Sequence, residues 1–278
     1  MDILIYGTIN SVTLALYALG FAMVYGVSRL PNFAHGSLYI LSGFVTWGFL
    51  NSLAMIATGV IGALMYQFVL IRVRGMEISE IIATYAIGLA ILEGLRWAGF
   101  KGMTYTLPPF IEGSVTIADI PVDYQRLLVV AIGGAMVVCL WLFTRYTRVG
   151  LALKGMAQDE RAAMMLGIDS DLMAVVAMGF GSMLAALAAI LLLPLGNIVV
   201  ESGYNVLILA ISVCIVGGLG SWIGAILAAF LIGFAQILTA VYLGSHYQMV
   251  VALLAIIVTL IIKPSGLFGK QKELEERV

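Results

Sequence analysis

The apolar residues of this chain come in unbroken runs, at about 3–27, 33–50, 52–71, 79–99, 127–144, 172–195, 205–219, 223–243 and 247–262. A helix needs roughly 20 consecutive apolar residues to cross a bilayer, and most of these runs are near that length. They are continuous rather than alternating, which excludes an outer-membrane barrel. Of the 278 residues, 62% are hydrophobic and 10% charged, against about 45–50% and about 25% in a soluble domain. Too little polar chain remains for a globular domain on a single anchor. The expected fold is an all-α polytopic membrane protein with eight or nine transmembrane helices.

Two of the runs are weak. The second is short, follows Pro31 and is dotted with Asn32, His35, Ser37 and Ser42; the seventh is short and ends in Gly217, Gly218 and Gly220. One or two broken or half-length helices are therefore expected. The first run follows Asp2 with no Lys or Arg before it, so it reads as a retained first span rather than a cleaved signal peptide.

Charge asymmetry orients the spans. Arg29, Arg72, Arg74, Arg145, Arg148, Lys154, Arg161, Lys263, Lys270, Lys272 and Arg277 fall on one side, eleven of the fourteen Lys and Arg residues; Arg96, Lys101 and Arg126 fall on the other. The first side is expected to be cytoplasmic, with the N-terminus outside and the C-terminus inside, which favours nine crossings or seven plus a re-entrant pair. The membrane domain covers 1–268, with an irregular, mildly acidic outer loop at about 100–126 and a cytoplasmic loop at about 145–171. Residues 269–278 form a charged tail.

Several chemistries are absent. A net charge of −1 leaves no basic surface for nucleic acid. There is no GxxxxGK[ST], HExxH, CxxC or GxSxG, so neither a catalytic nor a metal site is expected. Cys139 and Cys214 lie in apolar runs and read as buried thiols. Glu93 and Arg96 are spaced to pair on one helix, and Glu201 sits in the connection after Pro194. An ion-coupled secondary transporter would need more intramembrane acids than these; it stands as the alternative to the reading below.

Three stretches carry information. In LPNFAHGSLYILSGF, residues 30–44, Asn32, Phe33, His35, Gly36 and Ser37 follow a helix-breaking Pro31. Polar groups and irregular backbone at membrane depth belong either in packed protein or beside a wet cavity, so this stretch is either a packed interfacial loop or part of a solute path. In GGLGSWIGA, residues 217–225, Gly220 and Gly224 form a small-xxx-small pair and Gly217 and Gly218 permit a tight turn. In the cytoplasmic loop, Asp159 and Glu160 suit a helix N-terminus and Gly167 a C-cap. Between them a two- to three-turn helix would display Ala162, Ala163, Met164, Met165 and Leu166 as an apolar knob. Arg161 is its lone cation, a poor match to anionic lipid, so the knob reads as a docking surface.

NFAHGSLYILSGF, the stretch TRVGLALKGMAQDERAAMMLGI, GGLGSWIGA and KPSGLFG occur in this order and span essentially the whole chain. Together they resemble the LivH-like permeases of branched-chain amino acid ABC importers. The resemblance implies a second related permease (a different chain or another copy), two cytoplasmic ATPase subunits that use ATP and Mg2+, and an extracytoplasmic substrate-binding protein, with no cofactor bound by this chain. It implies a coupling helix within Ala157–Ile168, including Ala157, Asp159, Glu160, Arg161, Ala163, Met164, Leu166 and Gly167. It also places Asn32 to Ser37 beside the translocation path of a small metabolite. The family position after NFAHG is often acidic and is Ser37 here.

Overall fold

The computed structural model describes residues 2–48, 51–99, 105–117, 120–196 and 199–269. Lys101, Asp119 and tail residues 270–278 lie outside the described residues. The elements are α1 (Asp2–Ser28), α2 (His35–Gly48), α3 (Asn51–Met65), which continues through a π-helical turn (Tyr66–Leu70) into α4 (Ile71–Val73), α5 (Glu77–Trp97), β1 (Ser114–Ile117), β2 (Ile120–Asp123), α6 (Tyr124–Tyr146), α7 (Arg148–Gln158), α8 (Glu160–Met165), α9 (Ser170–Leu192), α10 (Ser202–Gly217), α11 (Trp222–Tyr242) and α12 (Gln248–Ile262). Among the described residues, seven helical stretches are long and apolar enough to cross a membrane. The two remaining apolar helices, α2 and α10, have only 14 and 16 residues.

Local chemistry sets the breaks. Arg29 takes a left-handed φ of 56° directly after α1, and Pro31 then keeps Leu30 out of helical conformation. At the end of α9 the chain passes into a 3-10 turn, Leu193–Leu195, that contains Pro194.

Packing of one helix on another shows the chain directions. A Cβ on Gly20 would lie 3.3 Å from the Leu184 Cβ, and Gly181 is pressed against Val24, so α1 and α9 run antiparallel. Gly7 meets Phe234 while Gly26 lies near Trp222, making α11 antiparallel to α1 as well. Gln125 Nε2 donates to the Leu191 carbonyl at 2.9 Å and Phe143 packs on Phe180, so α6 runs with α1. The contacts repeat in pairs: α1 lies on α11 as α9 lies on α3, α1 on α10 as α9 on α2, and α2 on α5 as α10 on α12. Two units, α1–α5 and α9–α12, thus face each other in inverted sense, with α6 outside the repeat.

Burial follows from this arrangement. The most apolar window of α1 is 83% buried, against 6% for the Ser245–Ile262 span, so α1 is the axis of the bundle and α12 its edge. The helix ends where α1, α4, α6 and α12 finish carry Arg29, Arg72, Arg74, Arg145, Arg148 and Lys263, and this is called the basic end below.

Two expectations are corrected here. The outer loop is not wholly irregular: β1 and β2 pair antiparallel with Val115 opposite Val122. Ile120 and Val122 alternate inward and join a small cluster with Ile9, while Pro121 is tolerated because the ribbon has only two strands. Cys139 is exposed on a face of α6 that the chain does not cover, whereas Cys214 is buried. An apolar run marks removal from water, not coverage by protein.

Candidate translocation cleft and coupling helix

The segment after α1 folds back alongside it instead of resting at the bundle end. His35 Nε2 lies 2.9 Å from the Tyr17 carbonyl, a residue about 16 Å up α1 from Ser28 at 1.5 Å per residue. A carbonyl only accepts, so Nε2 is the protonated nitrogen and Nδ1 the bare one; Nδ1 is buried without a hydrogen-bond partner. His35 is therefore held at depth beside α1 rather than at the bundle end. Asn32 is equally enclosed: its Oδ1 accepts from the Ala34 N–H at 3.0 Å and its Nδ2 points at the Met178 sulfur. That local bond is the turn that starts α2.

Gly36 lies where α2 crosses α10. A Cβ on Gly36 would overlap the Gly203 carbonyl, and one on Gly203 would sit 2.9 Å from the Gly36 carbonyl. The first turns of two half-length helices therefore touch backbone to backbone. Beside the crossing, Phe33, Ser37, Tyr85, Gly88, Gly203 and Tyr204 line a narrow cleft of about 10 Å³ between α2, α5 and α10. Phe33 and Ser37 thus share one cleft, whereas Asn32 and His35 are packed behind it against α9 and α1. Tyr85, Gly203 and Tyr204 were not singled out in the sequence; a tyrosine within an apolar run was the available signal.

Across the far end from the basic charges, Arg96 pairs with Glu93 on its own helix and reaches Glu201 at 2.7 Å. The Glu201 backbone N–H and the Arg96 guanidinium hold the Glu201 carboxyl below the usual carboxylate range.

At the basic end, Thr147 caps α7 by accepting from the Gly150 N–H at 3.0 Å, and Asp159 caps α8 by accepting from the Ala162 N–H at 2.9 Å. Gly167 follows with φ 83°. Its N–H donates to the Met164 carbonyl and the Ile168 N–H to the Ala163 carbonyl, a Schellman closure that needs a left-handed residue at this position. The expected single helix is corrected to two: Ala157 belongs to α7, and α8 has six residues, under two turns. Ala163 is corrected as well, being 3% exposed and facing inward, while Met165 and Leu166 are 89% and 84% exposed. A six-residue helix capped at both ends shows one narrow face, and Ala163 falls opposite it. Glu160 bonds to Arg74; Asp159, Arg161 and Met164 are exposed.

The glycine segment also differs from its reading. The close pair is Gly217 with Gly224, whose backbones meet across the turn, rather than Gly220 with Gly224. Gly218 and Gly220 form the turn, with φ of 101° and 82°, and Ser221 caps α11 through the Gly224 N–H at 3.1 Å. The Leu267 and Phe268 N–H groups donate to the Val216 and Gly217 carbonyls at 2.9 and 3.0 Å, so GGLGSWIGA and KPSGLFG are one interlocked structure.

A bundle of membrane-length helices, with two half-helices meeting beside a cleft and an apolar tip projecting on a capped helix, is the architecture of a multi-pass membrane transport subunit. The comparisons define it further. The chain belongs to the family described as branched-chain amino acid transport system / permease component, whose profile matches residues 3–260. It is 28% identical to the high-affinity branched-chain amino acid transport system permease protein LivH of Salmonella typhimurium (strain LT2), over 94% of each chain. It is also 28% identical to the corresponding protein BraD of Pseudomonas aeruginosa, over 96% of this chain and 95% of that one. Among solved structures, PsaBC from Streptococcus pneumoniae in complex with Fab superposes with a TM-score of 0.54 at 12% identity, covering 100% of this chain and 96% of that one, a likeness of fold. The chain is an inner-membrane ABC permease.

Proposed function

We propose that this chain is the permease subunit of an ATP-driven importer and forms, with a second permease, the path for a branched-chain or other aliphatic amino acid or a similar small metabolite. The observation that carries this reading is α8, a capped helix at the basic end whose Met165 and Leu166 are almost wholly uncovered by the chain. An apolar tip of this kind on a polar end is a docking surface. The basic end faces the cytoplasm by the positive-inside rule. The chain crosses nine times, because α1 and α3 run in the same direction and only α2, extended by residues 29–34, can return the chain between them; α10 does the same between α9 and α11. Of two cytoplasmic ATPases, one engages α7 and α8 of this chain, an extracytoplasmic binding protein delivers substrate at the Arg96 end, and ATP and Mg2+ are used by the ATPases alone. Their closure displaces α8, and the cleft beside Phe33, Ser37 and Tyr204 is exposed to alternate sides.

In proteoliposomes the chain alone is expected to give no concentrative uptake under a proton or sodium gradient, and the complex with both ATPases to give uptake that requires ATP. Gradient-driven accumulation by the chain alone would establish the ion-coupled alternative.

His35 gives a second expectation. Losing the bond to Tyr17 and the ring volume, His35→Ala is expected to impair transport while ATPase co-purification survives. His35→Gln keeps an amide donor for the Tyr17 carbonyl but cannot become cationic, and should recover much of the rate. Parental uptake in both variants would assign His35 to packing alone.

A further inference from the structure

Arg74 lies in the short link between α4 and α5, at the basic end. Its guanidinium gathers two other elements: it donates to the Glu160 carboxylate at the start of α8 and to the Ser170 hydroxyl and Asp171 carboxylate at the start of α9. Ser170 Oγ closes the set by donating to Glu160 at 2.6 Å. Among the described elements α8 packs substantially only on α7, which itself packs on α1, α6 and α9; the cluster adds a polar link from α8 to the α4–α5 segment and to α9.

What lies on either side of Arg74 matters. The chain before it is the π-helical turn Tyr66–Leu70, a local widening of the helix that marks sites of function or adjustment. The chain after it is locked to α5, since the Gly75 N–H donates to Glu80 Oε1 at 2.7 Å. Further along, α5 supplies Tyr85, Gly88 and Leu89 to the cleft. Among these contacts only Arg74 ties the exposed tip to α5.

As a stabilising device the cluster is weak. The Arg74 side chain is 36% exposed, and ion pairs of that exposure add little to stability. As a directional device it is strong, because a planar guanidinium with several donors fixes the relative placement of the groups it holds, which a lysine ammonium does not.

We propose that Arg74 is a positioning residue that carries displacement of α8 to α5, and so to the cleft. This rests on the reading of α8 as the ATPase contact. The test uses the full complex of permeases and ATPases in proteoliposomes, with substrate transported per ATP hydrolysed as the readout. In Arg74→Gln and Asp171→Asn, assembly and basal hydrolysis are expected to hold while that ratio falls about tenfold, within the range of ordinary coupling energies. Arg74→Lys, which keeps the charge and loses the fork, should fall between them and the parent. A parental ratio in Arg74→Gln overturns the proposal. So does loss of assembly in both Arg74 variants, which would make the residue structural. Failure of the parental chain to co-purify with ATPases would instead overturn the reading of α8, leaving a distinct signature.

Discussion

Replacing Gly36 with alanine is expected to destabilise this protein. Intrinsic propensity argues the other way, since alanine is favoured over glycine within a helix by about 1 kcal/mol. Packing decides the sign. The new Cβ would overlap the Gly203 carbonyl, with the Leu207 Cβ at 3.1 Å on its flank, and a backbone carbonyl cannot rotate aside as a side chain can. Overfilling a packed site costs roughly 1–3 kcal/mol, and Gly36→Val should exceed that. Gly94, on α5 with nothing within 4 Å of a built Cβ, is the control: Gly94→Ala should be neutral or mildly stabilising. Thermal unfolding in detergent, followed by the fraction remaining monodisperse, separates the two. Equal melting of Gly36→Ala and the parent would mean that α2 and α10 do not touch as described.

The second large effect is on assembly. Met165→Asp and Leu166→Asp place a carboxylate on the uncovered tip of α8 without disturbing the fold, because neither side chain is enclosed. If the tip inserts into an apolar groove on an ATPase, the charge must be buried there unpaired. Central interface anchors of this kind cost about 2 kcal/mol or more when lost, enough to reduce co-purification of the ATPases at least tenfold. The same change at Ala163 would misfold the loop instead, since that residue faces inward. Undiminished co-purification and undiminished substrate-stimulated hydrolysis in both aspartate variants would remove α8 from the ATPase contact.

What the sequence made legible was local in origin. Continuous apolar runs report membrane-length helices because the bilayer requires every backbone group to be paired within its own segment. Asp159 and Gly167 were readable as helix ends because capping involves only neighbouring residues. Several of the failures are long-range. The depth of His35 depends on the Tyr17 carbonyl, 18 positions earlier, and on a chain that doubles back. The pairing of Arg96 with Glu201 spans 105 positions, and the role of Gly36 depends on Gly203. Arg74 counted in the sequence only as one positive charge among eleven; its partners lie 86 to 97 positions away. The inverted repeat was equally hidden, because its sign in the sequence is faint: Leu30-Pro31 and Leu193-Pro194 close corresponding long helices.

The inward position of α1 has a consequence for biosynthesis. Its main neighbours, α9 and α11, begin at Ser170 and Trp222, so α1 leaves the ribosome well before the helices that cover it. At elongation rates of about 5–20 residues per second, α1 waits on the order of ten to forty seconds before α11 exists. During that interval Asn10 and Ser11, which bond to Gly233, Gln236 and Phe230 of α11 in the finished protein, have none of those partners. The nascent chain must be sheltered for that period by the insertion machinery or by lipid. Interrupted translation between α9 and α11 would release a fragment with its central helix half covered, a natural substrate for membrane quality-control proteolysis.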